Sequence, residues 1–146
     1  MKKFIIFTLV ICLSLSLCAC GRHEEVIVAP HVFGDGLWYH VYEDQTSLQV
    51  LLEANPTTGY VWSYEISDPD ILAAAFFDYA PDDAENKTGT GGVYGGSFVP
   101  TGSGEVSITF RHMRPWEDTP IETKVLEISV SAEGLVSVSA AYTESN

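Results

Sequence analysis

The cysteines and histidines are the residues of this 146-residue chain that could act as nucleophiles, proton carriers or metal ligands. The three cysteines all lie within the first 20 residues. The histidines show no metal-ligand spacing and lie beside no plausible nucleophile: His23, His31, His40 and His112. Ser97 follows two glycines but lacks the strand–turn–helix context of a nucleophile elbow. The sequence therefore predicts neither an enzyme nor a metal centre, and it implies no cofactor.

The N-terminal segment has the character of an export signal. Two lysines precede an apolar run over residues 4–17. A bilayer span needs about 20 residues, so this run instead has the proportions of a signal-peptide core. It ends in Leu17-Cys18-Ala19-Cys20, which resembles the lipobox of bacterial lipoproteins and implies cleavage before Cys20 and a lipid (diacylglycerol, with palmitate) on its sulfur. The alternative is an ordinary signal peptide cut near Ala19, with Cys20 left as a free thiol.

These observations divide the chain into four parts. We expect a signal peptide over residues 1–19, the lipidated Cys20 with a tether to residue 33, one domain over residues 34–142, and a tail over 143–146. Once the signal has left and Cys20 carries lipid, no thiol remains for a disulfide. A domain of this length can bury a sizeable core and hold itself together. The expected location is the bacterial cell membrane, lipid-anchored and facing outside the cytoplasm.

The exported part of the chain is strongly acidic. All 20 acidic residues but only five of the seven basic ones follow Cys20, which leaves a net charge of −15. Such a surface repels nucleic acid and anionic lipid head groups. We therefore expect no nucleic-acid partner, and contact with the membrane only through the lipid on Cys20. Acidity alone identifies no specific partner.

One segment combines a rigid bend with two hydroxyl groups, and we call it the first loop. It reads Asn55-Pro56-Thr57-Thr58-Gly59-Tyr60. Pro56 fixes φ near −65° and Gly59 permits a positive φ, so the pair can define a tight turn. The alternative interpretation is an ordinary turn that joins two strands.

A second segment is rich in glycine, and we call it the second loop. It reads Gly89-Thr90-Gly91-Gly92. No helix follows it and no Lys-Ser/Thr pair closes it, so it does not have the features of a phosphate cradle. Glycines here would allow the backbone to lie flat against another surface. A flexible hairpin end is the alternative.

The third loop places an aromatic ring and a cation beside a proline. It reads Arg114-Pro115-Trp116 and follows Met113. Trp and Arg are the residue types most enriched at interface hot spots, and Pro115 would hold them on a stiff support. Alternatively, Trp116 folds back into the core and Arg114 pairs with an acidic residue.

Short alternating segments must position these loops. Apolar residues recur at every second position around residues 48–52, 60–66, 106–110, 126–130 and 136–138, which is typical of half-buried strands. Turn residues separate the segments, and Gly95-Gly96 reads as one of these turns. Alanines within residues 71–77 are compatible with a single helical turn, and a strand is the alternative. The pattern predicts an all-β, immunoglobulin-like sandwich of about seven to eight strands, with residues 135–142 as an additional strand.

Taken together, the three loops resemble those of the chagasin family of cysteine protease inhibitors. Asn-Pro-Thr-Thr-Gly-Tyr, Gly-X-Gly-Gly and Arg-Pro-Trp occur in that order and at that spacing, and both Trp62 and Met113 fit the same pattern. The resemblance covers residues 36–130. The segments before residue 31 and after residue 134 lie outside it.

The resemblance implies a fold and a mechanism. It implies an immunoglobulin-like sandwich whose three loops gather at one end, with Thr57 and Thr58 closest to the catalytic Cys–His pair of a papain-like cysteine protease. The second and third loops would flank the first, one on each wall of the cleft. Inhibition would be reversible, tight-binding and steric, by a monomer, against a protease that is either the cell's own or foreign.

A surface adhesin or carbohydrate-binding immunoglobulin-like module is the alternative function. Trp38, Trp62 and Trp116 could stack on sugars if all three were exposed. Trp62 alternates with core positions and Trp38 lies in an expected first strand, so both are interpreted as structural. Sugar binding predicts several aromatic rings on one exposed face, whereas this sequence concentrates its unusual residues in three loops.

Overall fold

The computed structural model describes residues 31–33, 36–82 and 91–144. The expected signal peptide, the lipidation site at Cys20 and most of the tether lie outside these residues. Within the described part of the chain, no helix is long and apolar enough to cross a membrane.

The described residues form nine strands and one short 3₁₀-helix. The strands are β1 (His31–Phe33), β2 (Leu37–Val41), β3 (Leu48–Ala54), β4 (Val61–Ile66), β5 (Leu72–Pro81), β6 (Gly92–Pro100), β7 (Gly104–Met113), β8 (Glu122–Val130) and β9 (Val136–Glu144). The 3₁₀-helix, Pro56–Thr58, connects β3 to β4. The last three residues of the expected tether are thus the strand β1.

Two antiparallel sheets pack face to face. One has the strand order β1-β2-β3-β6-β5 and the other β4-β7-β8-β9. The immunoglobulin-like sandwich predicted from the sequence is confirmed. The described residues hold nine strands, against an expected seven to eight.

The core lies between the sheets and is built by period-two alternation. In β3, Leu48, Val50 and Leu52 are buried, whereas Leu51 and Glu53 face outward. Strand β7 repeats the pattern at Val106, Ile108 and Phe110. Burying each such side chain contributes about 1.5–3 kcal/mol, and this core stabilises the described residues, which include no cysteine.

One local prediction from the sequence is wrong, and one open alternative is decided. Residues 71–77 do not form a helical turn but belong mainly to β5, which pairs with β6 through a bulge between Ala74 and Phe76. The turn predicted at Gly95 and Gly96 is wrong, because both glycines lie inside β6. The physical reason lies in packing: a Cβ on Gly96 would come 2.8 Å from Phe77 Cδ2. Gly96 leaves room for the neighbouring aromatic rings. Because it has no apolar side chain, the alternation of apolar and polar residues typical of a strand is not visible in the sequence of β6.

The additional C-terminal strand is confirmed as β9, which pairs with β8 along its length. Val136 is fully buried, and its amide donates a 2.7 Å hydrogen bond to the carbonyl of Gln45 in the β2–β3 connection. The strand extends to Glu144, so the first two residues of the expected tail belong to it. It begins at the end of the sandwich away from residues 55–60.

Strand register brings the first loop, the third loop and the described end of the second loop to one end of the molecule. Ala54 at the end of β3 pairs with Gly92 at the start of β6, so the first loop leaves the sheet where the second loop enters it. Val61 at the start of β4 pairs with Met113 at the end of β7. The third loop therefore begins beside the end of the first.

Candidate functional site

The first loop is a bend held by its own hydrogen bonds. The Thr58 amide donates to the Asn55 carbonyl at 3.1 Å, and the Gly59 amide donates to the Pro56 carbonyl at 2.9 Å. Gly59 has a φ of 84°, which is the left-handed conformation that the sequence predicted for this glycine. The combination of Pro56 and Gly59 therefore defines the turn as expected.

Both hydroxyl groups of the first loop donate back into the bend. Thr57 Oγ1 donates to Asn55 Oδ1, and Thr58 Oγ1 donates to the Asn55 carbonyl at 2.7 Å. The two threonine side chains are nevertheless exposed. The tip thus presents methyl groups and oxygen lone pairs in a fixed arrangement, with no carboxylate on either threonine.

The third loop displays its aromatic ring. Trp116 is 72% exposed and does not fold into the core. Arg114 pairs with the carboxylate of Glu117 at 3.1 Å, as the alternative interpretation of this segment anticipated. Pro115 between them is exposed. The exposed indole and the ion pair are compatible, because Arg114 and Glu117 pair along the loop while the Trp116 ring projects from it.

The first and third loops touch and form one surface. Arg114 Nε donates to the Thr58 carbonyl at 3.4 Å, and its guanidinium carbon lies 4.4 Å from the centroid of the Tyr60 ring, a cation–π distance. A Cβ on Gly59 would lie 3.3 Å from Trp116 Cη2. The first loop could therefore not carry a larger residue at position 59 without moving the indole.

The second loop is described only in part. Gly89 and Thr90 lie outside the described residues. Gly92 is buried inside the sheet and packs tightly beneath Tyr79 and the Ala80 carbonyl, so its role in the fold is structural. Gly91 precedes it, and its carbonyl accepts a 3.0 Å hydrogen bond from the Asp82 amide.

A cleft of about 450 Å³ lies at the end of the sandwich where the first loop and the start of β6 meet. Its lining includes Asn55, Gly91, Glu53, Asp82 and His112. The described residues contain no group of three or more His, Cys, Asp or Glu side chains that could hold a metal ion.

His112 is the residue of this region that sequence reasoning missed. Its ring stacks on Trp62 with centroids 4.5 Å apart and planes 8° apart. The Tyr60 ring lies 5.5 Å from it at a tilt of 60°. The register of two strands could have revealed it. If residues 60–66 pair in an antiparallel way with the segment before Arg114, His112 lies opposite Trp62.

Burial lowers the pKa of His112, the Glu122 carboxylate opposes this effect, and the Lys124 ammonium adds to it. The neutral imidazole is therefore the favoured form at neutral pH. Trp62, only 5% exposed, is structural as expected, and its Nε1 donates to the Glu53 carbonyl at 2.9 Å.

An immunoglobulin-like sandwich with a rigid, exposed loop surface at one end defines the chain as a loop-presenting binding domain. The family model described as "Chagasin family peptidase inhibitor I42" matches residues 43–130, which include β3 to β8. The chain belongs to this family. Strands β1, β2 and β9 lie outside the match.

Solved structures of two proteins resemble this one. The cysteine protease inhibitor EhICP2 from Entamoeba histolytica has a TM-score of 0.50 and 21% identity, with 57% of this chain and 77% of that chain covered. This likeness supports the fold. Amebosin has a TM-score of 0.48 and 27% identity, with 61% of this chain and 93% of that chain covered. No curated protein sequence matches the chain.

The family assignment confirms two expectations from the sequence. The family model confirms the resemblance to the chagasin family of cysteine protease inhibitors, and the chain is therefore an inhibitor and not an enzyme. The roles of the individual loop residues, the lipid on Cys20 and the membrane location stay predictions.

Proposed function

We propose that the protein is a reversible, tight-binding inhibitor of papain-like cysteine proteases that fills the active-site cleft with its three loops. The observation that supports this most is the contact between the first and third loops, which makes Thr58, Gly59 and Trp116 parts of one exposed surface. The target is a papain-like protease, either the cell's own or foreign.

The first loop is suited to enter such a cleft. Papain-like clefts are long grooves that bind extended backbone, so an occluding loop must be stiff and narrow. The hydrogen bonds from Thr57 and Thr58 to Asn55 already order the tip, which reduces the conformational entropy lost on binding. Neither threonine carries a negative charge that would repel the reactive thiolate.

Trp116 is the proposed anchor on one cleft wall. Its indole is exposed in the free protein, and burying it in a partner would remove a large apolar area from water. An anchor of this type typically contributes about 2 kcal/mol or more, within an interface of about 800 Å² per partner. Residues 89–91 of the second loop would contact the opposite wall, since Gly92 is buried in β6.

The lipid on Cys20 would hold this monomeric domain at the membrane. Residues between Cys20 and β1 would separate the three loops from the lipid surface. This part of the proposal rests on the lipobox-like sequence alone, and mass spectrometry of the mature N-terminus tests it. An unmodified N-terminus generated by cleavage elsewhere would contradict it.

Titration against papain and a cathepsin L-like protease tests the inhibition. The purified protein should inhibit stoichiometrically, stay uncleaved and release active protease on dilution. A variant with Thr57→Ala, Thr58→Ala and Trp116→Ala should lose at least about 30-fold in affinity, since loss of a hot-spot tryptophan alone costs about 2 kcal/mol. Because these side chains are exposed, its thermal stability should stay close to that of the parent.

The matched control is Phe76→Ala. Phe76 is 53% exposed but lies on β5, away from the three loops, so its loss should leave inhibition unchanged. A folded parent that inhibits neither protease would contradict the proposal and favour a surface binding module. Equal losses in the Phe76 variant and the triple variant would contradict the assignment of the loops.

A further inference from the structure

Four side chains form a continuous stack beneath the loop surface. The Arg114 guanidinium lies over Tyr60, Tyr60 lies against His112, and His112 stacks on Trp62. Trp62 then donates its indole hydrogen bond to the carbonyl of Glu53, two residues before the first loop. The stack therefore connects the third loop to both ends of the first.

We propose that His112 is a positioning residue: its neutral ring holds the first and third loops in the arrangement that fits the protease, and acidification weakens inhibition through it. This inference rests on the proposed function and adds to it a residue outside the three loops. His112 lies in β7, paired with Trp62 across the sheet, and we assign its effect to its ring contacts with Tyr60 and Trp62.

The surroundings of His112 favour the neutral ring. Its Nε2 atom is buried and has no hydrogen-bond partner among the residues the structure describes. A proton on that nitrogen would create a buried N–H with no acceptor there, which is costly. The neutral ring with its proton on Nδ1 leaves only an unpaired lone pair on Nε2, which costs less than an unpaired N–H on a charged ring.

Charged groups face His112 from several sides. Glu122 lies opposite it on β8, but this carboxylate already pairs with the fully buried Lys124 at 2.6 Å. The Arg114 guanidinium lies beyond Tyr60. Glu53 and Asp82 line the same cleft as His112. Burial is the largest cause of the lowered pKa of His112; the Lys124 ammonium adds to it, and the Glu122 carboxylate only partly opposes it.

The lowered pKa of His112 determines how the stability of the protein changes with pH. A histidine whose folded-state pKa is lowered leaves the unfolded chain with more bound protons, so stability rises with pH. The contribution of the neutral ring to stability is fully present above the unfolded pKa of about 6.5. It is lost progressively as the pH falls below that value. The loops that the stack supports should loosen over the same range.

Inhibition constants test the proposal at two pH values. The purified protein, His112→Phe and His112→Ala are each titrated against papain at pH 7.5 and pH 5.5. At pH 7.5 we expect His112→Ala to bind about tenfold more weakly, because both ring contacts are lost, and His112→Phe to stay within about threefold, because a ring is retained. From pH 7.5 to 5.5, the parent should weaken about three- to tenfold more than His112→Phe.

Comparing variants at the same pH cancels the titration of the protease itself. Equal pH dependence of the parent and His112→Phe would overturn the proposal, as would full inhibition by His112→Ala. If His112→Ala does not fold, the pH comparison between parent and His112→Phe decides alone. Val136→Ala, which removes core volume at the opposite end of the sandwich, should lower stability without altering the inhibition constant.

Amide hydrogen exchange tests the positioning without any protease. The Thr58 and Gly59 amides, which donate to Asn55 and Pro56, should exchange faster in His112→Ala than in His112→Phe at pH 7.5. At pH 5.5 they should exchange faster in the parent than in His112→Phe. These results would support the positioning role even if papain were not inhibited. A failure of the proposed function can therefore be distinguished from a failure of this inference. Unchanged exchange in every variant would overturn the inference.

Discussion

Gly59 combines a left-handed backbone conformation with a close approach to the third loop. Its φ of 84° is unfavourable for residues with a Cβ, and a Cβ there would lie 3.3 Å from Trp116 and 3.6 Å from Arg114 Nε. Gly59→Ala should destabilise the fold by about 1–2 kcal/mol through strain. It should also weaken inhibition, because the indole must move. Chemical denaturation and titration against papain measure the two effects.

Gly134 provides the matched control for Gly59. It has φ 79°, and a Cβ there would meet nothing within 4 Å. Gly134→Ala should therefore cost similar stability while leaving inhibition unchanged. If both variants lost inhibition equally, the contact between Gly59 and the third loop would have no part in binding.

Residue types revealed part of the site and concealed another part. Pro56, Gly59 and Trp116 could be interpreted from their own chemistry, because each constrains or displays something whatever its partners are. His112 could not, since a single histidine on a strand carries no signal until the pairing of β4 with β7 is known. Its importance comes from the two rings beside it.

At the scale of elements, the glycines of β6 make a testable contrast within one strand. A Cβ on Gly96 would lie 2.8 Å from Phe77 Cδ2 and 3.0 Å from Phe98 Cε2, whereas a Cβ on Gly95 would meet Leu51 at an ordinary 3.6 Å. Gly96→Ala should cost about 1–3 kcal/mol by overpacking. Gly95→Ala should stay within about 0.5 kcal/mol of the parent. Thermal unfolding of the two variants measures the difference.

The contrast also explains which strands could be predicted. Alternation in β3 and β7 comes from large apolar side chains, so the sequence shows it directly. In β6 the inward positions include Gly92 and Gly96, and their lack of side chains makes room for aromatic rings from neighbouring positions. From the sequence alone, the adjacent Gly95 and Gly96 therefore indicate a turn. Similar destabilisation by Gly95→Ala and Gly96→Ala would contradict this account.

At the scale of the whole molecule, the sandwich converts distant sequence segments into one surface. The register pairs Ala54 with Gly92 in one sheet and Val61 with Met113 in the other. The segment from Ala54 to Val61 crosses between the two sheets at this end. Spacing along the chain could suggest three loops, but their meeting depends on strand order, which only the resemblance to a known family implied.

The net charge of −15 beyond Cys20 is also a property of the whole molecule. A field of this sign should attract a basic protease from a distance and repel an acidic one. The association rate with a basic target should fall by about tenfold or more between low and high salt, while the dissociation rate changes little. Stopped-flow measurement of both rates across a salt series tests this expectation.

Two single neutralisations locate the effect on the surface. Asp118 is exposed beside the third loop, and Glu43 is exposed in the β2–β3 connection at the opposite end. Asp118→Asn should slow association at 0.1 M salt more than Glu43→Gln, because interactions between exposed charges are screened beyond about 10 Å at this salt concentration. An association rate that does not change with salt would show that the acidic surface keeps the domain soluble but does not steer it.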